Sequence, residues 1–418
     1  MIRAGAASVD ITPPAELAMS GFVARTEPAL GAHDPLTVRA IAVGDTALLV
    51  ADVIGISAAM SARIRARCCL PDDNVVVAAL HTHGGPVSMA DRLWAGADAD
   101  YLARLETACV AAIDQAVANA EPAQLSMGLG ADPGVGRNRR HRNGITDTAL
   151  PVLRIRRPDG SMIAILVAYA CHPVVLAADN RLWTADYPHY TRLALEAAYP
   201  GALAVFAMGC IGDVNTGHSA QASITLQANA ERSFATAERL GTAVATAALA
   251  AGEQLMDGPV IARHLELDLA FARRETLPLD QLARQWRDQA SSADPIRQAL
   301  LTCWAQWAET APPEPLAPLP TRVSLLDWAG IPIVALPGEI FASTATIIRG
   351  HWPKAAAFVL GFAHDNPGYI PPGEEYGFGG YEVDEAHRYY GMPASFAPGS
   401  AEQLAQAAIT LLDTMKAS

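Results

Sequence analysis

The chain has 418 residues, with 30 Lys and Arg against 43 Asp and Glu, so its formal net charge is −13. Hydrophobic residues make up 51 % and charged residues 17 %, which excludes a disordered chain and allows a large core. The acidic balance argues against nucleic acid and against a polybasic membrane anchor, because both interactions need a basic surface. The longest apolar run, at 162–171, is shorter than the ~20 residues of a membrane span. With no recognisable export signal at the N-terminus, the sequence predicts a cytoplasmic protein with no membrane partner.

Strand and helix patterns alternate along the chain. Apolar runs on either side of a turn that contains glycine predict β-hairpins, and these lie at 37–54, 151–170 and 321–336. Further apolar runs predict buried strands at 74–80, 202–208 and 356–360. Helical patterns lie at 100–119, 226–251 and 400–416. This alternation predicts an α/β fold, with mixed β-sheets flanked by helices.

The segment 273–309 differs from its surroundings. It lacks a strand pattern and carries Trp286, Trp304 and Trp307 among polar residues, and a proline-rich stretch follows it. We predict a helical, proline-rich insertion at 273–320 within a single catalytic domain that spans 1–418. Two roles remain open for it: a helical cap over a sheet edge, or a lid whose aromatic side chains face the substrate.

Three ionisable groups follow predicted strands, at positions where α/β proteins expose reactive groups. His81 follows the strand at 74–80 and has a second histidine, His83, two residues later. His172 and Glu339 follow the second strands of two hairpins. Each residue alone also has an ordinary structural explanation, such as a hydrogen bond, an ion pair or a helix cap. Together, two imidazoles and a carboxylate match a catalytic zinc site that keeps an open position.

Other polar clusters leave their roles open. The Gly-, Pro- and Tyr-rich loop at 366–376, with Tyr381 after it, offers phenols that bind a metal or an oxyanion, or that simply pack. The segment 212–217 is a site loop or only a turn. The basic loop with Arg137, Arg139, Arg140 and Arg142 meets an anionic substrate group or lies in solvent. Asp186 orients a ligand histidine or caps the following helix.

No GxSxG elbow, Walker loop or GxGxxG fingerprint follows a predicted strand. The sequence therefore argues against α/β serine hydrolases, P-loop NTPases and Rossmann dehydrogenases.

These motifs, in this order, resemble the neutral (non-lysosomal) ceramidase family. The resemblance covers nearly the whole chain, through segments at 7–14, 81–86, 138–139, 172–173, 212–215, 336–339 and 368–382. It implies a ceramidase-like catalytic domain that uses zinc to hydrolyse an N-acyl amide bond. It also implies that one Zn²⁺ is held by His81, His172, Glu339 and Tyr369, and that His83, Arg139 and Tyr381 orient the substrate or contact the oxyanion.

The sequence departs from this family in three respects. The Gly-Asp-Val-Ser motif, whose Ser is proposed as the nucleophile, has Asn215 at that position. An Asn cannot be acylated, so a water activated by the metal is the expected nucleophile. The chain shows neither the signal sequence nor the C-terminal β-sandwich domain of secreted members, and 273–320 has no counterpart that we can match. We expect a short, intracellular branch of the family.

We therefore predict a zinc-dependent amidohydrolase that acts on a small soluble amide or lactam, with an anionic group if the arginine loop binds substrate. His83 would position or deprotonate the water and later protonate the leaving nitrogen. Tyr381 and Arg139 would hold the oxyanion. The alternatives are a metal-dependent esterase or lactonase, a true ceramidase, and a non-catalytic metal-binding protein. The sequence leaves the oligomeric state open.

Overall fold

The computed structural model describes residues 2–90, 92–93, 96–220, 225–353 and 356–416. The helices are α1 (Ala58–Arg67), α2 (Ala99–Ala118), α3 (Tyr187–Ala198), α4 (Phe234–Leu249), α5 (Leu279–Ala290), α6 (Pro295–Thr310), α7 (Ala342–Gly350) and α8 (Ser400–Lys416). The strands are β1 (Arg3–Asp10), β2 (Gly31–Ala32), β3 (Thr37–Val43), β4 (Thr46–Ala51), β5 (Val75–Ala79), β6 (Glu121–Pro122), β7 (Gln124–Gly130), β8 (Arg137–Asn138), β9 (Leu150–Arg156), β10 (Met162–Tyr169), β11 (Leu182–Trp183), β12 (Leu203–Met208), β13 (Val214–Asn215), β14 (Gln254–Met256), β15 (Val260–Leu269), β16 (Phe271–Ala272), β17 (Leu319–Trp328), β18 (Ile331–Ala335), β19 (Glu339–Ile340), β20 (Phe358–Leu360), β21 (Tyr369–Ile370) and β22 (Ser395–Phe396).

Three mixed sheets carry the fold, in the orders β5-β4-β3-β1-β6, β12-β10-β9-β7-β14 and β15-β17-β18-β20. Each contains an antiparallel hairpin, β3–β4, β9–β10 or β17–β18. A further strand, β5, β12 or β20, then pairs in parallel with the second hairpin strand. The predicted hairpins and the α/β class with mixed sheets are therefore confirmed. Two parallel strands that pair with each other end at the same edge of their sheet. The loops that follow the two strands therefore lie side by side at that edge in each of the three sheets.

The core explains the apolar strand patterns. Every residue of β4, β5 and β10 is buried, so these strands read as continuous apolar runs and not as an alternation. The first two sheets and α2 share one apolar cluster, which includes Leu48, Val77, Ile113 and Phe206. One face of the third sheet joins the same cluster, and its other face packs on α8 through a separate cluster, which includes Val334 and Leu404. Burial of each such large side chain contributes ~1.5–3 kcal/mol, which fixes the sheets that carry the site.

One predicted helix starts later than expected. The apolar pattern predicted a helix from residue 226, but α4 begins at Phe234, where the Ser233 side chain accepts a hydrogen bond from the backbone of Thr236. Just before it, the Arg232 guanidinium donates to the carbonyl of Val174. This cap and this anchor hold the preceding residues in irregular structure despite their composition.

The segment at 273–320 contains the helices α5 and α6, which pack on each other through an apolar cluster of their own. Its proline-rich end runs into β17, which begins at Leu319. That the segment is an insertion within one domain over 1–418 stays a prediction. None of the helices in the described part of the chain is long and apolar enough to cross a membrane.

Candidate active site

Each of the three sheets contributes to one buried cluster. His81 follows β5 of the first sheet, His172 follows β10 of the second, and Glu339 and Tyr369 follow β18 and β20 of the third. Glu339 and Tyr369 face each other across the short parallel pair β19–β21. The exposed fractions of these four residues are 1 %, 1 %, 0 % and 8 %. The structure thus gathers the four predicted metal ligands in the interior.

Backbone carbonyls fix the protons of two imidazoles. The Nδ1 atom of His81 lies 2.7 Å from the carbonyl oxygen of Ile54, and that of His172 lies 3.0 Å from the carbonyl oxygen of Val214. A carbonyl oxygen only accepts, so each Nδ1 carries the proton and donates it. Each Nε2 atom is left with a free lone pair. His81 adopts φ 64°, a rare conformation for a residue with a side chain and one common at functional sites.

These lone pairs meet a carboxylate. Glu339 Oε2 lies 3.0 Å from Nε2 of His172 and 3.5 Å from Nε2 of His81. A proton or a metal cation must lie among these three atoms, because three lone pairs this close repel one another. Imidazole nitrogens and a carboxylate oxygen are ligands that zinc and related metals prefer, so the donor set fits a divalent metal.

The protonation states agree with metal binding. Burial lowers the pKa of His81 to about 4, which keeps its imidazole neutral. Burial alone would raise the pKa of Glu339, but His81 and His172 lower it to about 2, so the carboxylate is ionised. Metals bind neutral imidazole and ionised carboxylate, and His81 and Glu339 are in these forms at neutral pH.

His83 belongs to the same cluster. Its Nε2 lies 3.3 Å from Nε2 of His81. His81, His83 and His172 each place one ring nitrogen within 4.8 Å of the others and could hold a metal ion. Among the described residues, Nδ1 of His83 has no hydrogen-bond partner although it is buried. Gly21 (φ 101°) allows this placement, because a Cβ there would lie 2.5 Å from the same nitrogen. The geometry thus offers His83 both as a ligand and as a proton carrier.

Arg139 ties the phenol to the site. Its Nη2 donates to the Tyr369 hydroxyl and to the carbonyl of Gly212, each at 2.9 Å, and its Nε donates to Glu382. Burial alone would lower the pKa of Arg139, but the charges of Tyr369 and Glu382 raise it above its ordinary value. A fixed cation therefore lies beside the candidate ligands.

The rest of the basic loop makes internal contacts. Arg140 pairs with Glu375 and Glu382, and Arg137 donates to the carbonyl of Gly134. Within the described ranges, Arg139 is the only arginine of this loop that lines the cavity beside the cluster. This corrects the alternative in which the loop as a whole meets an anionic substrate, because Arg140 is already neutralised by carboxylates.

Two polar side chains near the cluster support local backbone structure. The Asn215 side chain accepts hydrogen bonds from the backbone of Gly217 and His218 and donates to the carbonyl of His218. Asn215 therefore shapes the cavity wall and has its carbonyl oxygen occupied. Asp186 caps α3 through the backbone of Tyr187, which confirms the capping alternative.

Tyr390 has no sequence signal that would single it out, yet it contacts the cluster directly. Its hydroxyl donates to Glu339 Oε1, and both side chains are buried. This hydrogen bond occupies the carboxylate oxygen that faces away from the histidines and orients Oε2 toward them. Only the fold of the aromatic segment 381–390 brings Tyr390 to this place.

A cavity of about 470 Å³ opens beside the cluster, a volume typical of small-molecule sites. One wall contains His83, Arg139, His172, Tyr369 and Tyr381. Another contains Phe22, Val23, Leu93, Leu300, Trp304 and Tyr389. Leu300 and Trp304 belong to α6, so the helical segment faces the cavity as the lid alternative requires.

Comparisons with known proteins agree with this arrangement. A sequence model of the family described as neutral/alkaline non-lysosomal ceramidase, N-terminal, matches residues 2–372. The crystal structure of neutral ceramidase from Pseudomonas aeruginosa is similar, with a TM-score of 0.74 and 19 % identity, over 99 % of this chain and 75 % of that one. A ceramidase complexed with C2 has the same TM-score and 17 % identity, over the same shares of the two chains. At these identities the likeness establishes the fold. Comparison with curated protein sequences found no match.

Proposed function

The chain belongs to the neutral/alkaline non-lysosomal ceramidase family, and from this premise we propose that it is a zinc-dependent hydrolase of an amide bond. The observation that carries the proposal is the meeting of two imidazole nitrogens and one carboxylate oxygen, on His81, His172 and Glu339, in one buried cluster beside the cavity. When bound there, Zn²⁺ supplies a Lewis acid that polarises a carbonyl and lowers the pKa of a water molecule.

The proposed roles divide between holding the metal and moving protons. His81, His172, Glu339 and Tyr369 hold the metal. His83 takes a proton from the attacking water at Nε2, the ring nitrogen that faces the cluster, and gives it to the leaving nitrogen, which completes amide hydrolysis.

The charge that develops on the amide oxygen needs donors that stay in place. Burial raises the pKa of Tyr381 well above its ordinary value, so its phenol keeps the proton that it donates. Arg139 is fixed by Tyr369 and Glu382 and adds a positive charge beside it. These two side chains are the proposed oxyanion contacts. Asn215, whose amide serves the turn at 217–218, is proposed to act only by shaping the wall.

The substrate that we propose is a small amide or lactam. The cavity has a volume of about 470 Å³, and Leu300 and Trp304 of α6 line it together with His83 and His172. A ceramide is the second candidate, since a similar structure is a ceramidase complexed with C2. An amide panel with and without long alkyl chains distinguishes the two.

The test compares the metal-free and the reconstituted protein. Removal of metal with a chelator should abolish hydrolysis of the amide panel, and added Zn²⁺ should restore it. His81→Ala should have no activity, whereas His351→Ala, a matched change at the surface pair with Asp413, should retain it. Full activity in the metal-free protein or in His81→Ala would overturn the proposal. Faster turnover of esters or lactones than of matched amides would make the protein an esterase.

A further inference from the structure

We infer that the cavity binds a carboxylate group of the substrate through His218 and Arg232, and that Asn215 positions His218 for this contact. The inference rests on the proposed function, because it names the substrate class of the same site: a small amide that also carries a carboxylate. It differs from the arginine-loop alternative, since neither His218 nor Arg232 belongs to the loop at 137–142.

More cations than anions line the cavity, although the chain as a whole has a net charge of −13. Among the described residues that line it, Arg139, Arg232 and Arg297 carry guanidinium groups, and Glu385 is the only one with a carboxyl group. Glu382 balances the charge of Arg139. Burial raises the pKa of Glu385, which favours its neutral form. A cavity with an excess of positive charge in an acidic protein attracts an anionic ligand.

Arg232 lies one aromatic ring away from the reacting centre. Its guanidinium carbon is 5.8 Å from the centre of the Phe22 ring, and the centre of that ring is 4.8 Å from the centre of the His83 ring. The guanidinium donates to the carbonyl oxygens of Val174 and Leu176, which hold it at the cavity wall. A fixed cation at this place meets an anionic group on a small substrate whose amide lies at the metal site.

His218 offers hydrogen-bonding atoms in the same part of the cavity. It lines the cavity, and within the described part of the chain its ring nitrogens make no hydrogen bond to another residue. Burial lowers the pKa of His218, and the nearby charge of Arg232 lowers it further, so the imidazole is neutral at neutral pH. A neutral imidazole carries one N–H donor. This donor is available to a carboxylate oxygen that the guanidinium of Arg232 attracts.

Asn215 holds His218 with both ends of its side-chain amide. The amide oxygen accepts from the backbone N–H of His218 at 3.0 Å and from that of Gly217 at 2.8 Å. The amide nitrogen donates to the backbone carbonyl of His218 at 2.7 Å. Asn215 is itself buried, with 2 % exposure, at the end of β13. Because it bonds the backbone of His218 on both sides, it fixes the place from which the imidazole reaches the cavity.

The test uses two pairs of amides that differ in one charged group. N-Benzoylglycine is compared with N-(2-hydroxyethyl)benzamide, and succinanilic acid is compared with 4-hydroxybutyranilide. In each pair a hydroxymethyl group replaces the carboxylate. The first pair carries the carboxylate on the amine side of the scissile bond, and the second carries it on the acyl side, so the two pairs show which side of the substrate meets His218.

The variants separate contact, charge and positioning. His218→Ala removes the imidazole, His218→Gln keeps an N–H donor, Arg232→Met removes the charge, and Asn215→Ala removes the side chain that holds His218. His351→Ala, at the surface pair with Asp413, is the matched control. Because Arg232 also anchors the chain before α4, melting temperatures establish that each variant is folded. The His218 variants change a side chain without internal hydrogen bonds, so they test the inference even if Arg232→Met unfolds.

The quantity measured is the ratio of kcat/KM for the acid over the matched alcohol. In the wild type and in His351→Ala this ratio should be about ten or more for at least one pair, and it should fall about tenfold in His218→Ala and in Arg232→Met. His218→Gln should keep most of the ratio. Asn215→Ala should lower it mainly through a higher KM for the acid, because binding is weakened.

Equal values of kcat/KM for acid and alcohol in both pairs, or a wild-type ratio in His218→Ala, would overturn the inference and leave the proposed function standing. A wild-type ratio in Asn215→Ala would overturn the positioning role of Asn215.

A wild type that hydrolyses none of these amides overturns the proposed function instead. In that case calorimetric titration of the metal-free protein with N-benzoylglycine and with N-(2-hydroxyethyl)benzamide tests carboxylate binding by itself. Tighter binding of the acid, lost in His218→Ala and kept in His351→Ala, would support the inferred contact. Equal binding of the two compounds, or the same preference in His218→Ala as in the wild type, would contradict it.

Discussion

The candidate metal centre and the α5–α6 wall, whose helix α6 lines the same cavity, are built in different ways. The side chains of the centre leave strand ends, and the carbonyls of Ile54 and Val214 orient its imidazoles. The α5–α6 wall packs through a small aromatic cluster of its own, around the guanidinium of Arg388. In the candidate metal centre, each Nδ1 proton of His81 and His172 has one backbone acceptor, which fixes the orientation of the imidazole ring. In the α5–α6 wall, side chains can be substituted while the strand ends that carry the candidate ligands stay in place.

Because of this difference, we expect the reaction and the choice of substrate to depend on different parts of the protein. Changes at the strand ends should alter metal binding and the reaction, whereas changes in the wall should alter stability and the choice of substrate. Variants in each region, measured for metal affinity and for stability, test this division.

The largest effect is expected at Glu339. Glu339→Gln keeps the shape of the side chain but removes the charge that faces His81 and His172. Metal affinity, measured by competition with a chromogenic chelator, should fall by more than the roughly 10–100-fold that loss of an outer hydrogen-bond partner causes. Glu375→Gln, a change in an ion pair with Arg140, should leave it unaltered. Normal metal binding by Glu339→Gln would remove Glu339 from the ligand set.

Arg388→Met tests the wall. It removes the cation that faces three indoles, and the buried carboxylate of Glu275 loses this charged partner while it keeps its hydrogen bond with His387. Loss of one partner of a buried pair costs about 3 kcal/mol of unfolding free energy, measurable with denaturant, and metal affinity should stay constant. Arg284→Met, at an exposed pair on α5, should change neither quantity. A loss of metal affinity in Arg388→Met would show that the two regions are coupled.

Two buried carboxyl groups, Asp186 at the start of α3 and Glu275 beside the α5–α6 wall, should respond to pH in opposite directions. Burial raises the pKa of Asp186 to about 6, so its carboxyl stabilises the fold below the unfolded pKa of about 4 and this contribution is lost as the pH rises through about 6. Burial alone would raise the pKa of Glu275, but His387 and Arg388 lower it to about 2. Its contribution is present above about 4 and is lost as the pH falls through about 2.

Denaturant unfolding at pH values on both sides of these pKa values measures what Asp186 and Glu275 each contribute to the free energy of unfolding. The stability of the wild type relative to Asp186→Asn should fall by about 3 kcal/mol between about pH 4 and pH 7, since each unit of pKa shift is worth ~1.36 kcal/mol. Relative to Glu275→Gln it should fall on acidification instead. The same sign of pH dependence in both comparisons would contradict the assigned pKa shifts.

The smallest expected effect is at Tyr390. Tyr390→Phe removes the hydroxyl that holds Glu339 Oε1, and metal affinity should fall roughly 10–100-fold. Tyr376→Phe removes a buried hydroxyl that donates to the carbonyl of Phe396, so it should cost about 1 kcal/mol of stability without a change in metal affinity. Equal metal affinities of Tyr390→Phe and the wild type would mean that the strand geometry alone orients Glu339.

Sequence reasoning reached the strand-end residues because their signal is local. An apolar run followed at once by His81 or Glu339 is visible in a few residues, and parallel neighbours must end at one edge. Contacts that depend on how loops and helices pack have no such signal. Tyr390 reaches Glu339 through a loop, and the side of α6 that Trp304 faces follows from the position of the helix pair. The late start of α4 was missed because the Arg232 anchor is a tertiary contact.

The origin of the four candidate ligands in three different sheets has a thermodynamic consequence. No single sheet carries the whole set, so the unfolded chain and any partly folded form lack the binding site. Metal therefore binds only to the fully folded chain. Such binding stabilises the native state by about 2.7 kcal/mol when the concentration of free metal is a hundred times the dissociation constant. Under the proposed zinc-dependent function, the melting temperature should therefore rise with the free zinc concentration, and a shortage of zinc should lower both the amount of folded protein and its activity.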